Sequence, residues 1–153
     1  MSGQRFVLER RQQIRRARAD VFAFFADVQN LERITPAFLN FRILTPLPVP
    51  MRAGALIDYE LRLYGVPLRW QTRIEEVDPG VSFVDVQLRG PYRHWHHLHE
   101  FIDVEGGTEV RDTVHYELPW GPLGSIAGAL FVRRSLDRIF DHRQRVLEQT
   151  FHG

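Results

Sequence analysis

Two histidines two residues apart, His97 and His99, lie in the run Tyr92-Arg93-His94-Trp95-His96-His97-Leu98-His99-Glu100-Phe101. A lone acid, Asp112, stands in the run Val110-Arg111-Asp112-Thr113-Val114-His115-Tyr116. Between the two runs, Glu105-Gly106-Gly107-Thr108 is a hairpin turn signal, because glycine supplies the positive φ of a tight turn. Strand alternation then groups Trp95, His97, His99 and Phe101 on one face, and Val110, Asp112, Val114 and Tyr116 on one face of the partner. A face meant only for dry packing would be aliphatic. This one carries aromatic rings, two imidazoles and a carboxylate, so it is read as the wall of a cavity.

Register decides what these groups can do together. If the hairpin pairs Asp103 with Thr108, Asp112 sits opposite His99; a four-residue loop over 105–108 would put it opposite Phe101 instead. A three-residue turn over 90–92 would place Asp85 near His97. Imidazoles two apart on a strand point the same way, with backbones roughly 6–7 Å apart, and could bind zinc if Asp112 converged as a third ligand. Such spacing is common in ordinary strands, so no metal is assigned. A carboxylate bonded to an imidazole fixes its tautomer and raises its basicity. His97, His99 and Asp112 are therefore the candidate catalytic residues, for enolising or cyclising a polyketide-like substrate.

The preferred reading is binding. Tyr59, Trp70, Trp95 and Tyr116 offer flat apolar walls, while Asp85, Gln87, His97, His99 and Asp112 orient a polar end. Ile126 and Leu130 would close the cavity from a C-terminal helix. Small-molecule pockets of roughly 300–1,000 Å³ have this make-up, mostly apolar with a few placed polar groups. The bland alternative is that the His–Asp contacts merely satisfy buried polar groups within an aromatic core. His94, His96, His115, His142 and His152 fall outside the face and are read as solvated or covered by packing.

The elements that must position this face follow from periodicity. Phe6 to Ile14 reads as a first strand. Asp20 is placed as the cap of a helix over 21–26, with Phe22, Phe25 and Ala26 on one side. A second short turn over 31–34 ends at Thr35-Pro36. Phe41 to Leu44 is a strand, and Pro46 to Met51, with three prolines, is an extended connector. Strands are expected over 56–64, 68–77 and 82–89, the first two joined by a turn at Gly65-Val66. Pro119 to Pro122 breaks the sheet, Trp120 capping one end of the cavity. One long helix then runs from about Leu123 to Thr150, with Pro122 in its first turn. Its apolar stripe is drawn through Leu123, Ile126, Ala127, Leu130, Leu136, Ile139, Phe140, Val146 and Leu147. Consecutive antiparallel strands with segregated helices imply an α+β fold in a single domain over 1–153.

Composition narrows the function. All 20 basic residues are arginine, which removes Schiff-base lysine chemistry, and the lack of cysteine removes disulfides, thiolate nucleophiles and zinc-thiolate sites. A net charge of +1 provides no general field for nucleic acid, and the arginines of residues 10–18 lack interleaved aromatics, so no nucleic-acid partner is expected. No apolar run spans a membrane and no signal peptide is evident, so a cytoplasmic setting is expected, with no cofactor. The sequence is compatible with transient membrane contact and with a monomer or a homodimer.

The element order, with Asn30-Leu31-Glu32-Arg33-Ile34-Thr35-Pro36, resembles the START-like, helix-grip (SRPBCC) superfamily. So do the run from Gly90 to Phe101, Gly107-Thr108, and Asp112 to Pro119. It looks closest to the branch grouped with polyketide cyclases and coenzyme Q-binding proteins. The resemblance implies a curved antiparallel sheet of about seven strands wrapped around the long C-terminal helix. It also implies a cavity for a lipid, quinone or polyketide-like molecule. Members of the superfamily bind such ligands and a few catalyse cyclisation, so the resemblance carries the fold further than the function.

Overall fold

The computed structural model describes residues 5–63, 65–119, 121 and 124–152. Strand β1 (Arg5–Ile14) leads into helices α1 (Arg18–Ala26) and α2 (Asn30–Ile34) and a single 3₁₀ turn (Ala37–Leu39). Six strands follow: β2 (Arg42–Ile43), β3 (Leu56–Leu63), β4 (Val66–Asp78), β5 (Ser82–Arg89), β6 (His94–Val104) and β7 (Gly107–Glu117). Helix α3 (Ile126–His152) ends the chain. The strands form one antiparallel sheet in the order β1-β7-β6-β5-β4-β3-β2. The seven-stranded α+β architecture expected from the sequence is therefore the one observed.

Element boundaries shift by up to a few residues from expectation, and three of the shifts are informative. Helix α1 starts at Arg18 with Ala17 as its N-cap and no side-chain capping bond, so Asp20 lies inside the first turn, where its charge still favours the helix N-terminus. Val66 opens β4 opposite Leu63, so the strand pairing closes one residue earlier than a Gly65-Val66 turn would allow. Helix α3 begins at Ile126, leaving Gly124 and Ser125 ahead of it, where their poor helix propensity costs nothing. Tyr64, Trp120, Pro122 and Leu123, to which the sequence reading gave roles, lie outside the described residues.

The β6–β7 hairpin pairs Asp103 with Thr108 and His99 with Asp112, the first of the two registers considered. Gly106 takes the positive φ of the turn, at 82°. Gly107 is needed for a different reason: a Cβ there would stand 2.1 Å from the carbonyl oxygen of Ile14, where β1 ends against β7. Register shifts between β4 and β5, at Gln71/Thr72 and Ile74/Glu76, supply the local bends by which a sheet curves.

Helix α3 lies in the concave side through Val132, Leu136, Phe140, Arg143 and Leu147, which are buried at spacings of four, four, three and four. Fully burying each of the apolar four contributes about 1.5–3 kcal/mol. Edge strand β1 is strapped to the helix by polar bonds. Arg133 Nη1 donates to the Val7 carbonyl at 3.1 Å, Gln12 Nε2 to the Gln144 carbonyl at 2.9 Å, and Arg10 Nη2 to the Asp137 carbonyl at 3.0 Å. Helix α1 closes the other end of the interior, where Phe22 and Phe25 pack on Phe101 with ring centroids 5.2 and 5.3 Å away. Among the described residues, no helix is long and apolar enough to cross a membrane.

Candidate functional site

The interior is not filled. Between β3–β6, the α1–α2 segment and α3 lies a cavity of about 200 Å³. Its wall includes Tyr59 and Leu61 from β3, Trp70, Thr72 and Ile74 from β4, and Phe83 and Asp85 from β5. Trp95, His97 and His99 come from β6, and Leu136, Ile139, Phe140 and Arg143 from α3. The lining is mostly apolar, with its ionisable groups gathered on one wall.

The aromatic end is a set of mutually packed rings. Tyr59 stacks on Trp70 at 5.8 Å, and Trp70 meets Trp95 edge-on at 5.3 Å. Tyr92 packs against both indoles, 5.5 Å from Trp70 and 4.8 Å from Trp95. Burial pushes the phenols of Tyr59 and Tyr92 far above their ordinary range, and the charge of Asp85 adds to this at Tyr59. Both stay neutral hydrogen-bonding groups, and Tyr59 shares a 3.1 Å bond with the Thr72 hydroxyl.

The polar wall is built by alternation on three neighbouring strands. Asp85 is the register partner of His97, and Asp112 that of His99. Sequence reasoning paired them this way, but the side chains bond diagonally. His97 Nε2 is 2.8 Å from Asp112 Oδ1, and His99 Nε2 is 2.6 Å from Asp85 Oδ2. The directly opposite contacts are longer, 3.7 Å from His97 Nδ1 to Asp85 and 3.5 Å from His99 Nδ1 to Asp112. The cause is stacking. The imidazoles lie face to face with centroids 3.6 Å apart, and Phe83 stacks on the far side of His99 at 4.0 Å. Two stacked rings thus stand between two carboxylates, one at each end.

Arg143 completes the group from α3, donating through Nη2 to Asp112 Oδ1 at 3.0 Å. Its guanidinium also lies over the rings of Phe25 and Phe140, at 4.8 and 5.4 Å. Burial alone would raise the carboxyl of Asp112, but the charge of Arg143 and the bond from His97 overcome it and hold Asp112 well below the usual range. Asp85 is likewise lowered: burial opposes ionisation, and the hydrogen bond from His99 with the nearby imidazoles outweighs it. His99 is lowered from 6.5 to about 4, because burial and its neighbour His97 disfavour a second proton more than the two carboxylates favour it. The donor directions follow. With both acids ionised, His97 and His99 each carry a proton on Nε2 and donate it.

Several residues assigned from sequence sit elsewhere. Ile126 and Leu130 are 88% and 51% exposed and form no part of the wall. The buried row of α3 starts only at Val132, so its first turn turns these side chains away from the sheet. Gln87 is not in the wall either; its amide is spent on the turn, donating to the Tyr92 carbonyl at 2.7 Å and accepting from the Tyr92 amide at 3.1 Å. Tyr116 and Asp112 stand behind the lining, in contact with it: Tyr116 packs against Tyr92 at 5.8 Å, and Asp112 meets the wall through His97 and Arg143. Tyr59, Trp70, Asp85, Trp95, His97 and His99 do face the space.

Arg143 and Tyr92 are among the wall residues that the sequence did not assign to the site. Arg143 was legible in principle: the row 132, 136, 140, 147 leaves a gap that position 143 fills, putting an arginine on an apolar stripe. Tyr92 lies in the turn before β6, where no periodicity applies.

A family model described as "Polyketide cyclase / dehydrase and lipid transport" matches residues 14–140, more than half of the chain. Solved structures share the fold across nearly the whole chain. The protein TTHA0849 from Thermus thermophilus is 16% identical with a TM-score of 0.74, covering 94% of this chain and 95% of that one. The Zhui aromatase/cyclase from Streptomyces sp. R1128 is 14% identical, TM-score 0.73, with 94% and 92% covered. The major latex-like protein 151 from Panax ginseng is 14% identical, TM-score 0.68, with 99% and 100% covered. No curated protein sequence matches. Family and fold together support a hydrophobic-ligand-binding or polyketide-cyclase-like function at that level of description.

Proposed function

This chain belongs to the polyketide cyclase, dehydrase and lipid-transport family, and from that premise we propose that it binds a small, largely apolar aromatic molecule in the cavity beneath α3. The observation that carries the reading is the cavity itself, enclosed by tyrosine and tryptophan rings on one side and a polar wall on the other. Its volume, about 200 Å³, bounds the guest. An apolar cavity of about 150 Å³ takes up benzene. A guest of one or two fused rings fits, and a longer molecule must leave part of itself outside. The rings supply contact area at low entropic cost, and the Asp85–His99 and His97 edge offers acceptors to a phenol hydroxyl.

The test is a titration with 2-naphthol and with 1-anilinonaphthalene-8-sulfonate, followed by tryptophan fluorescence and by Tm. Saturating probe should change the emission and raise Tm, because a ligand of the native state stabilises it. Ile139→Trp, which fills the cavity from α3, should abolish both effects while the protein stays folded. Unchanged emission and Tm in the natural chain, or identical responses in the filled variant, would remove the reading.

A second reading, cyclase-like acid–base catalysis, is favoured by one feature: the 2.6 Å Asp85–His99 bond lies in the wall of the cavity. To enolise a bound ketone, the His99 ring must turn its free Nδ1 lone pair from Asp112 toward the guest. If it operates, His99→Gln keeps probe affinity and loses turnover of an enolisable aromatic ketone. If His97→Ala and His99→Ala leave both probe affinity and turnover unaltered, the polar wall has no part in either role.

A further inference from the structure

The polar wall is one proton short of a satisfied network, and the shortfall has a definite place. His99 donates from Nε2 to Asp85, which leaves the lone pair of Nδ1 buried, without a hydrogen-bond partner, and 3.5 Å from the carboxylate oxygen of Asp112. A lone pair facing an anion in a low-dielectric interior is unfavourable. The charges are also unequal: two ionised carboxylates, Asp85 and Asp112, face one guanidinium, Arg143. His97 Nδ1, freed by the Nε2 bond to Asp112, is 3.7 Å from the Asp85 oxygen that His99 holds.

We propose that Asp85, His97 and His99 form a binding site for a divalent first-row transition-metal ion on the polar wall of the cavity. One ligand atom from each residue lies within 4.8 Å of the other two. Atoms bonded to such an ion at about 2.0–2.1 Å stand roughly 3–3.5 Å apart, so the closure required is of the order of a side-chain rotation. The ion takes the place of the proton between His99 Nε2 and Asp85. That proton moves to Nδ1, where it faces Asp112 and removes the unpartnered lone pair. His97 binds through Nδ1 and keeps its Nε2–H on Asp112. Both imidazoles then donate their second N–H to one carboxylate, itself held by Arg143, which is the support that metal-bound histidines ordinarily have. Two nitrogens and a carboxylate leave coordination positions open, and the open side is the cavity, which fits an anionic oxygen of an aromatic guest as the fourth ligand.

The test uses the full chain, stripped with chelator and titrated with Zn²⁺ by calorimetry and with Co²⁺ by visible absorption. One equivalent of each ion is expected to bind, and Co²⁺ to give the intense d–d bands of a low-coordinate N/O site. Asp85→Asn and His97→Gln should each weaken binding by at least tenfold, with far-UV circular dichroism reporting that they remain folded; should one fail to fold, the other decides. His94→Ala combined with His96→Ala, on the opposite face of the same strand, should bind as the natural chain does. Absence of one-equivalent binding overturns the site, as does binding that survives Asp85→Asn or His97→Gln, or that vanishes with His94 and His96. None of these readouts depends on an aromatic guest, so failure here leaves the cavity titration standing on its own result.

Discussion

Strand β6 carries the same side chain on both of its faces, and the two faces behave as different media. His97 and His99 point inward, are about 5% and 6% exposed, and are stacked on each other between two carboxylates. His94 and His96 point outward from the same strand, His94 exposed and His96 half-buried with its ring 6.3 Å from that of His115. Identical chemistry, displaced by one residue, is exposed or half-buried with no ionic partner among the described residues on one side and committed to a buried ionic network on the other. What differs is dielectric. Inside, each charge needs a partner and each missing partner is costly; outside, water supplies either.

The sharpest way to break this contrast is to remove the cation that makes the inner face tolerable. Arg143→Met should destabilise the fold by about 3–5 kcal/mol, since Asp112 is then buried without its guanidinium. Urea denaturation measures it, and adding Asp112→Asn to the same chain should restore part of the loss. A change of less than about 1 kcal/mol would mean that the inner face is wetter than its burial implies.

A smaller effect is expected from pH. His99 binds its proton less tightly folded, at about 4, than unfolded, near 6.5. Between these values the unfolded chain holds more protons, so stability rises with pH across that window and is lost as pH falls through it. The span corresponds to about 3 kcal/mol. Asp85 and Asp112 are also depressed, so they add stability present above their ordinary range and lost at still lower pH, the same sign. His99→Gln retains a donor to Asp85 without the titration. Denaturation midpoints between pH 4 and 7 should therefore be flatter in that variant than in the natural chain, and an equal slope would assign the acid sensitivity to another group.

The smallest effects belong to the outer face. His94→Ala and His96→Ala should each move stability by no more than about 0.5 kcal/mol, and neither should alter the pH slope. A larger cost at His96 would show that its ring and that of His115 act as a pair.

Much of this could be read along the chain. Alternation within single strands put Trp95, His97, His99 and Phe101 inward, a short-range property fixed by the twofold period of a strand. The turn signal at Glu105-Gly106 left two registers open, and the fold adopts the one that brings Asp112 level with His99. The apolar row of α3 was legible from Leu136 onward but misplaced at its start, because Ile126 and Leu130 have the right residue types and no sheet beneath them. Periodicity marks a face; it does not say how far the neighbouring layer extends.

The sequence by itself determined the order of elements, the strand faces and the set of residues able to titrate inside. Tertiary structure alone decided how those residues pair. Stacking of two rings sent His97 to Asp112 and His99 to Asp85, against the register partners, and helix packing delivered Arg143 from 31 positions away. Ring stacking and ion pairing act between groups brought close by the fold, at distances of 3 to 4 Å that no spacing along one strand encodes.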